Sequence, residues 1–251
     1  MSSQNSLFQT DLKRRRKIEN IFRIISMIIT WTSVLILFVL LTHVTLEGFH
    51  RLNLGFLQNF PSRFPDKAGL KSALYGSVWL ISMIFIISVP LGTASAIYLE
   101  EYEKKGPLGK FIEINISNLA GVPSIVYGIL GLVIFVRFMG LGRSVLAGSL
   151  TMSLLILPVI IIAAREALRA VPQSIRHGAY ALGATKWQTI VHHVLPASTP
   201  GILTGVILAM SRAIGETAPL IMIGALTYVA FIPEGPMDSF TALPIQIFNW
   251  A

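Results

Sequence analysis

The sequence predicts an all-α integral membrane protein, on three observations. Of the 251 residues, 53% are hydrophobic and only 13% charged. Mean hydropathy is +0.69, more apolar surface than a water-soluble domain can hide. Several apolar runs reach the length of about 20 residues that a spanning helix requires. Lys and Arg gather at the ends of those runs, where they set orientation. The formal net charge of +8 therefore reads as membrane topology, and no nucleic-acid partner is expected. There is no cysteine, so disulfides, thiolate metal sites and thiol nucleophiles are excluded.

The first element is a basic tail, residues 1–23, carrying Lys13, Arg14, Arg15, Arg16 and Lys17. The apolar run behind it is too long for a signal-peptide core, and no small-residue cleavage site follows. It reads as an anchoring helix, Ile24–Leu46. Four more spans are expected at Leu74–Leu99, Ile114–Val136, Val145–Ala163 and Gly201–Ala225. Pro90, Pro123 and Pro158 fall inside spans, where each removes a backbone donor and is expected to bend its helix. No sixth apolar run follows.

Loop charges then assign the sides. The loop between the fourth and fifth spans has Arg165, Arg169, Arg176 and Lys186 against Glu166 alone. The segment from Leu226 to Ala251 has Glu234 and Asp238 and no Lys or Arg. These place the N-terminus and the 4–5 loop in the cytoplasm and the C-terminal segment outside. Arg51, Arg63, Lys67 and Lys71 in the first outer loop oppose that assignment but are outweighed. The stretch "EEYEKKGPLGK" is charge-balanced and decides nothing.

The fifth span contains "LAMSRAIGETAPLI", with two charges where each costs roughly 2.5–3.5 kcal/mol on insertion scales. At about 100° per residue the helix sorts into two sides. Gly201, Thr204, Gly205, Ala209, Ser211, Arg212, Gly215, Glu216 and Pro219 form a small, polar side, expected to meet protein or water. Ile202, Leu203, Val206, Ile207, Met210, Ala213 and Ile214 form a bulky side, expected to meet lipid. Thr217 lies toward the lipid arc. Gly201, Gly205 and Ala209 recur at every fourth position, which permits close helix approach. Arg212 and Glu216, four apart, can pair. Two readings stand: a structural ion pair, or a guanidinium that meets an anionic substrate through its planar fork of donors.

The 4–5 loop, about residues 164–196, reads as two short helices. Pro172 fits a first turn. Ile175, Ala179 and Leu182 share a face, and Gly183 can end the helix. Trp187, Ile190, Val191 and Val194 form a second stripe closed by Pro196. Such helices lie in the lipid interface or dock a protein partner. "GAYALGAT" mimics a phosphate loop but lacks the Lys-Ser/Thr after the second Gly. No ATP-binding loop and no catalytic residue is expected in this chain. His177, His192 and His193 have no carboxylate pattern around them, so no metal site is expected.

Gly183 followed by Leu195-Pro196 resembles the EAA loop of ABC importer permeases. "YLEEY" (98–102), "GVPSIVYGILGL" (121–132), "REALRAVP" (165–172), "ALGATKWQTI" (181–190) and "SRAIGETAPL" (211–220) are together similar to the phosphate-specific (Pst) family, PstA type. The resemblance covers about Leu74 to Ala251. It implies a type I ABC importer permease, a MetI-like helical bundle of multi-pass topology in the plasma membrane, the inner one in a two-membrane cell. It also implies partners: ATPase subunits that hold ATP and Mg, a PstC-like sister permease, and an extracytoplasmic phosphate-binding protein. Ser174, Ile175, His177, Gly178, Ala179, Leu182 and Gly183 would couple the chain to the ATPase. Arg212, Glu216, Ser211 and Thr217 would line the substrate path.

Two departures stand out. His177, Gly178 and Ala179 occupy the places of the signature's Glu, Ala and Ala, and His193 that of its Ile. Family members also carry a sixth span, which leads to the expectation that the last helix is missing here. Competing expectations are a sulfate or molybdate permease of the same architecture, a secondary anion transporter, and a structural membrane subunit.

Overall fold

The structure, a computed structural model, describes residues 12–49, 52–64, 67–103, 106–225 and 228–250. Arg51, Leu226, Ala251 and the tail through Asp11 lie outside the described residues, as do the side chains of Lys13 and Arg14. The chain forms two compact units, Met1–Leu54 and Gly55–Ala251.

In the first unit, α1 (Leu12–Phe49) is a single 38-residue helix. It contains the expected span and extends it toward the N-terminus, so Arg15, Arg16 and Lys17 sit on the helix itself. Its apolar side chains are exposed along their whole length, as a surface solvated by lipid requires. Four of its hydroxyls are satisfied internally: Thr30, Ser33, Thr42 and Thr45 each donate to the carbonyl four residues back, at 2.6–2.9 Å. Those four hydroxyls need no water.

In the second unit a one-turn α2 (Leu54–Gln58) precedes α3 (Lys71–Ile97), which runs on as a π-helical turn, Tyr98–Tyr102. The central element is α6 (Val145–Arg169). It lies parallel to α3, with Ser149 Oγ, which donates to the Val145 carbonyl at 2.8 Å, also 3.5 Å from the Leu80 carbonyl, and Gly92 set against Ile160. Pro90 and Pro158 lie within continuous helices.

The expected third span is not one straight helix. Pro107–Ala120 (α4) and Ser124–Gly131 (α5), the latter continued by π-helical Leu132–Phe138, meet at 99°. Pro123 stands before α5 rather than inside a helix; its preset φ suits that place. The buried Tyr127 holds the corner, its hydroxyl donating 2.9 Å to the Leu119 carbonyl at the end of α4. By length and composition four helices can cross a membrane, or five if this bent pair is one crossing.

The expected fifth span also differs at both ends. Lys186 through Gly215 form one continuous helix: α8 (Lys186–Thr189), π-helical Ile190–Val194, and α9 (Leu195–Gly215). Pro196 therefore does not close a loop helix; it occupies the first turn of α9. The helix stops at Glu216, which is extended (φ −81°, ψ 117°), and a short α10 (Ala218–Ile223) follows. Pro219 suits the break. Inside a continuous helix it would leave the Gly215 carbonyl unbonded and clash with it, whereas it suits the first turn of a new one.

The C-terminal segment packs on the opposite end of the bundle from residues 98–102. The amides of Val145 and Leu146, open at the start of α6, donate to the carbonyls of Asp238 and Pro236 at 3.0 and 2.7 Å. Fully buried Phe240 fills the space over Gly148. The Leu243 amide donates to Ser77 Oγ at 2.8 Å, and α11 (Leu243–Trp250) ends the described chain.

Candidate functional site

Two groups of charges organise the second unit. The first is at the middle of the bundle. α9 runs antiparallel to α6, with Gly201 against Ala167 and Gly205 against Ala163, so the small-residue spacing does bring two backbones together. Continuing that register places Arg212 level with Ile156, near the middle of α6. Arg212 Nε donates to Glu216 Oε1 at 3.4 Å, as the four-residue spacing predicts. The pair stays open: 47% of the Arg212 side chain and 20% of Glu216 are accessible.

The expected division of α9 into faces needs correction. Ile202, Val206, Met210 and Ala213, assigned to lipid, are buried together with Gly205 and Ala209. Thr204, Ser211, Arg212 and Gly215, assigned inward, lie on the exposed arc with Leu203, Ile207 and Ile214. Helical periodicity sorts residues into sides but does not say which side a neighbour covers; α6 covers the Ile202–Ala213 stripe. Thr217 belongs to neither arc, because it stands beyond the break as the residue before α10.

That break is braced from α5. A Cβ on Gly128 would come within 2.8 Å of Pro219 Cα and of Met222 Cβ, so only glycine permits this approach. The stretches "GVPSIVYGILGL" and "SRAIGETAPL" thus meet in space. The candidate site therefore joins Arg212 and Ser211 on the exposed arc of α9, Glu216 where that helix stops, and Thr217 at the break, braced by Gly128 of α5.

The second group lies at the other end of α6, around the 4–5 loop. α7 (Gln173–Ala181) is preceded by Pro172 and ended by Gly183, whose φ of +84° is a left-handed conformation that glycine adopts without strain. Thr185 and Gln188 then form a capping box that starts α8. The inward residues of α7 are Arg176 and Ala179, not the expected row of Ile175, Ala179 and Leu182. Leu182 stands past the last helical residue and is 91% exposed. Of the second stripe, Ile190 and Val194 are fully buried while Trp187 is 61% exposed. Ser174, His177 and Gly178 face outward, and nothing lies within 4 Å of a Cβ built on Gly178.

Charge pairing here is dense, and composition alone did not disclose it. Glu100 takes hydrogen bonds from Arg165 at 3.1 Å and Arg169 at 3.2 Å; Arg165 also bonds Glu113, and Arg169 bonds Glu166. Arg176 and Glu101 pair at 2.7 Å with only 7% of either side chain accessible. The Arg176 guanidinium also donates to the carbonyls of Val171 and Leu168, at 2.7 and 3.0 Å. It thereby neutralises the open carbonyl end of α6. Lys186 Nζ sits 4.8 Å from the Tyr102 ring centroid. The acidic pair of "YLEEY" was legible as charge, yet its partners lie 65 to 75 residues away. Among the described residues no group of three or more His, Asp or Glu side chains gathers to hold a metal.

Residues 88–243 match the family described as binding-protein-dependent transport system inner membrane component. A phosphate transport system permease protein PstA of Mycobacterium leprae is 42% identical over 183 residues, 72% of this chain and 59% of that protein. The PstA of Yersinia pestis is 36% identical over 217 residues, 86% of this chain and 72% of that protein. A probable ABC transporter permease protein, YqgI of Bacillus subtilis, is 31% identical over 212 residues, 84% of this chain and 71% of that protein. The chain thus spans little more than half of the M. leprae relative. It is a helical, multi-pass membrane protein, and it belongs to the family of binding-protein-dependent transport system inner membrane components, with PstA-type permeases among its relatives.

Proposed function

We propose that this chain is the PstA-type permease subunit of an ATP-driven phosphate importer. It would form half of the translocation path and pair with a PstC-like sister permease. Arg212 is the observation that carries this reading. A guanidinium at mid-depth, held on one side by Glu216 and open on the other, suits an oxyanion in transit. Glu216 competes for the same donors, and a path must release what it captures. Ser211, next to Arg212 in the chain, and Thr217 at the break would add hydroxyl donors. The break at Glu216 would give the path irregular backbone, which a membrane tolerates where backbone borders a water-filled route rather than lipid.

ATP and Mg would be held by partner ATPase subunits at the arginine-rich end, where the exposed Leu182 and Trp187 offer apolar anchors for docking. In this reading that end, including Ser174 through Gly183, is cytoplasmic, as is the N-terminus. A phosphate-binding protein would deliver from the other side. His177 stands where the signature has its acidic residue, so an acidic contact to the ATPase would be lost or replaced.

The complex with its ATPase, reconstituted in phospholipid vesicles with loaded binding protein, tests this. The expected result is ATP-dependent phosphate accumulation that sulfate and molybdate do not compete away. Transport of either competitor in preference to phosphate reassigns the substrate, and uptake without ATP moves the chain to the secondary transporters.

A further inference from the structure

We infer that the buried Arg176–Glu101 pair is the joint through which α7 moves the end of α3, an inference that rests on the permease reading above. Arg176 and Glu101 are positioning residues: neither touches substrate or nucleotide.

One guanidinium ties three elements. Arg176 rises from α7. Its Nε and Nη2 both bond Glu101 Oε1, at 3.1 and 2.7 Å, on the π-helical turn that ends α3. Its Nη1 and Nη2 bond the carbonyls of Val171 and Leu168 where α6 ends. A planar fork with four directed bonds in a dry site fixes orientation as well as distance. The outer surface of α7, by contrast, is exposed: Ser174, His177 and Gly178 face outward, as does Leu182 just past its end. A push on that surface has little to deform except the joint beneath it.

The turn bearing Glu101 is itself unusual. Tyr98–Tyr102 is π-helical and closes with the Glu103 amide on the Tyr98 carbonyl at 2.9 Å. Extra-wide turns of this kind mark functional positions in helices. Here the turn carries Glu100, Glu101 and Tyr102, which engage Arg165 and Arg169, Arg176, and Lys186 respectively. The C-terminal end of α3 is thus fastened to α6, α7 and α8 together. Displacement of α7 by a closing partner would be delivered to α3 and α6 as rigid-body motion.

The test uses the complex with its ATPase, in vesicles, and reads phosphate moved per ATP hydrolysed. Glu101→Gln removes the charge and keeps the size. The joint predicts that the ATPase still co-purifies while the transport ratio falls by about fivefold or more. Glu101→Asp, which keeps the charge, recovers most of it. An unchanged ratio in Glu101→Gln with the ATPase bound overturns the joint. Failure of any ATPase to co-purify with the unaltered chain overturns the permease reading instead. Should Glu101→Gln not assemble, the absence of cysteine allows spin labels at Ser174→Cys and Tyr98→Cys alone. A constant label distance between nucleotide-free and ATP-bound states supports the joint, and a shift between them overturns it.

Discussion

Arg176 and Arg212 are both arginines paired with a glutamate in one bundle, and they differ in almost every other respect. Arg176 is buried, its partner comes from 75 residues away, and its donors also bond two carbonyls. Arg212 has one bond, 3.4 Å long, to a partner four residues on, and half of its side chain is open. A buried pair with satisfied donors fixes position. An open pair with unused donors can take another acceptor. In the proposed reading, the contrast separates a charge kept for architecture from one left open to meet a ligand.

Three substitutions sharpen that contrast, in falling order of expected effect. Removing one partner of a buried pair strands the other, at a cost of about 3–5 kcal/mol. Arg176→Met should therefore lower thermal stability of the detergent-solubilised protein steeply; an unchanged melting temperature would place the Arg176 charge in water. Gly205→Val drives a branched side chain into Ala163, on the α6–α9 contact that positions Arg212. Overpacking of this kind costs about 1–3 kcal/mol. It should depress both stability and uptake, and preserved packing would show that α9 shifts freely along α6. Glu216→Gln breaks an accessible pair worth about 0–1 kcal/mol. Stability should barely move, while phosphate should be held more tightly and released more slowly, read as a lower apparent KM with slower turnover.

The hydrophobic runs made much of the architecture legible, because a spanning helix must be apolar along its length. α1 and α6 contain their expected spans, and α3 with its π-helical turn contains the second. Gly183 ended α7 as its position required, and Arg212 paired with Glu216 as their spacing required. The two broken spans were not legible. Pro123 and Pro219 occur in runs where proline is tolerated, and whether it bends, breaks or merely interrupts a helix depends on what packs alongside. For Pro219 the decisive neighbour is Gly128, about ninety residues earlier and invisible to any local window. The inward face of α9 failed for a related reason. Small residues on a helix attract another helix, but Ile202, Val206 and Met210 fill the gaps between those close contacts, so the buried stripe crosses both sides. Arg176 was counted as a loop charge for orientation, and its burial follows only once Glu101 is brought beside it.

Phosphate uptake by Arg212→Gln in the assembled, reconstituted complex tests the central claim most directly. The substitution removes the charge but leaves a side chain able to hydrogen-bond Glu216, so the fold should persist. The prediction is loss of ATP-driven phosphate uptake, with the ATPase still bound and stability within about 1 kcal/mol of the unaltered chain. Normal uptake would contradict the account outright. Loss of assembly would show Arg212 to be a structural lock like Arg176, and the contrast between the two arginines would fall.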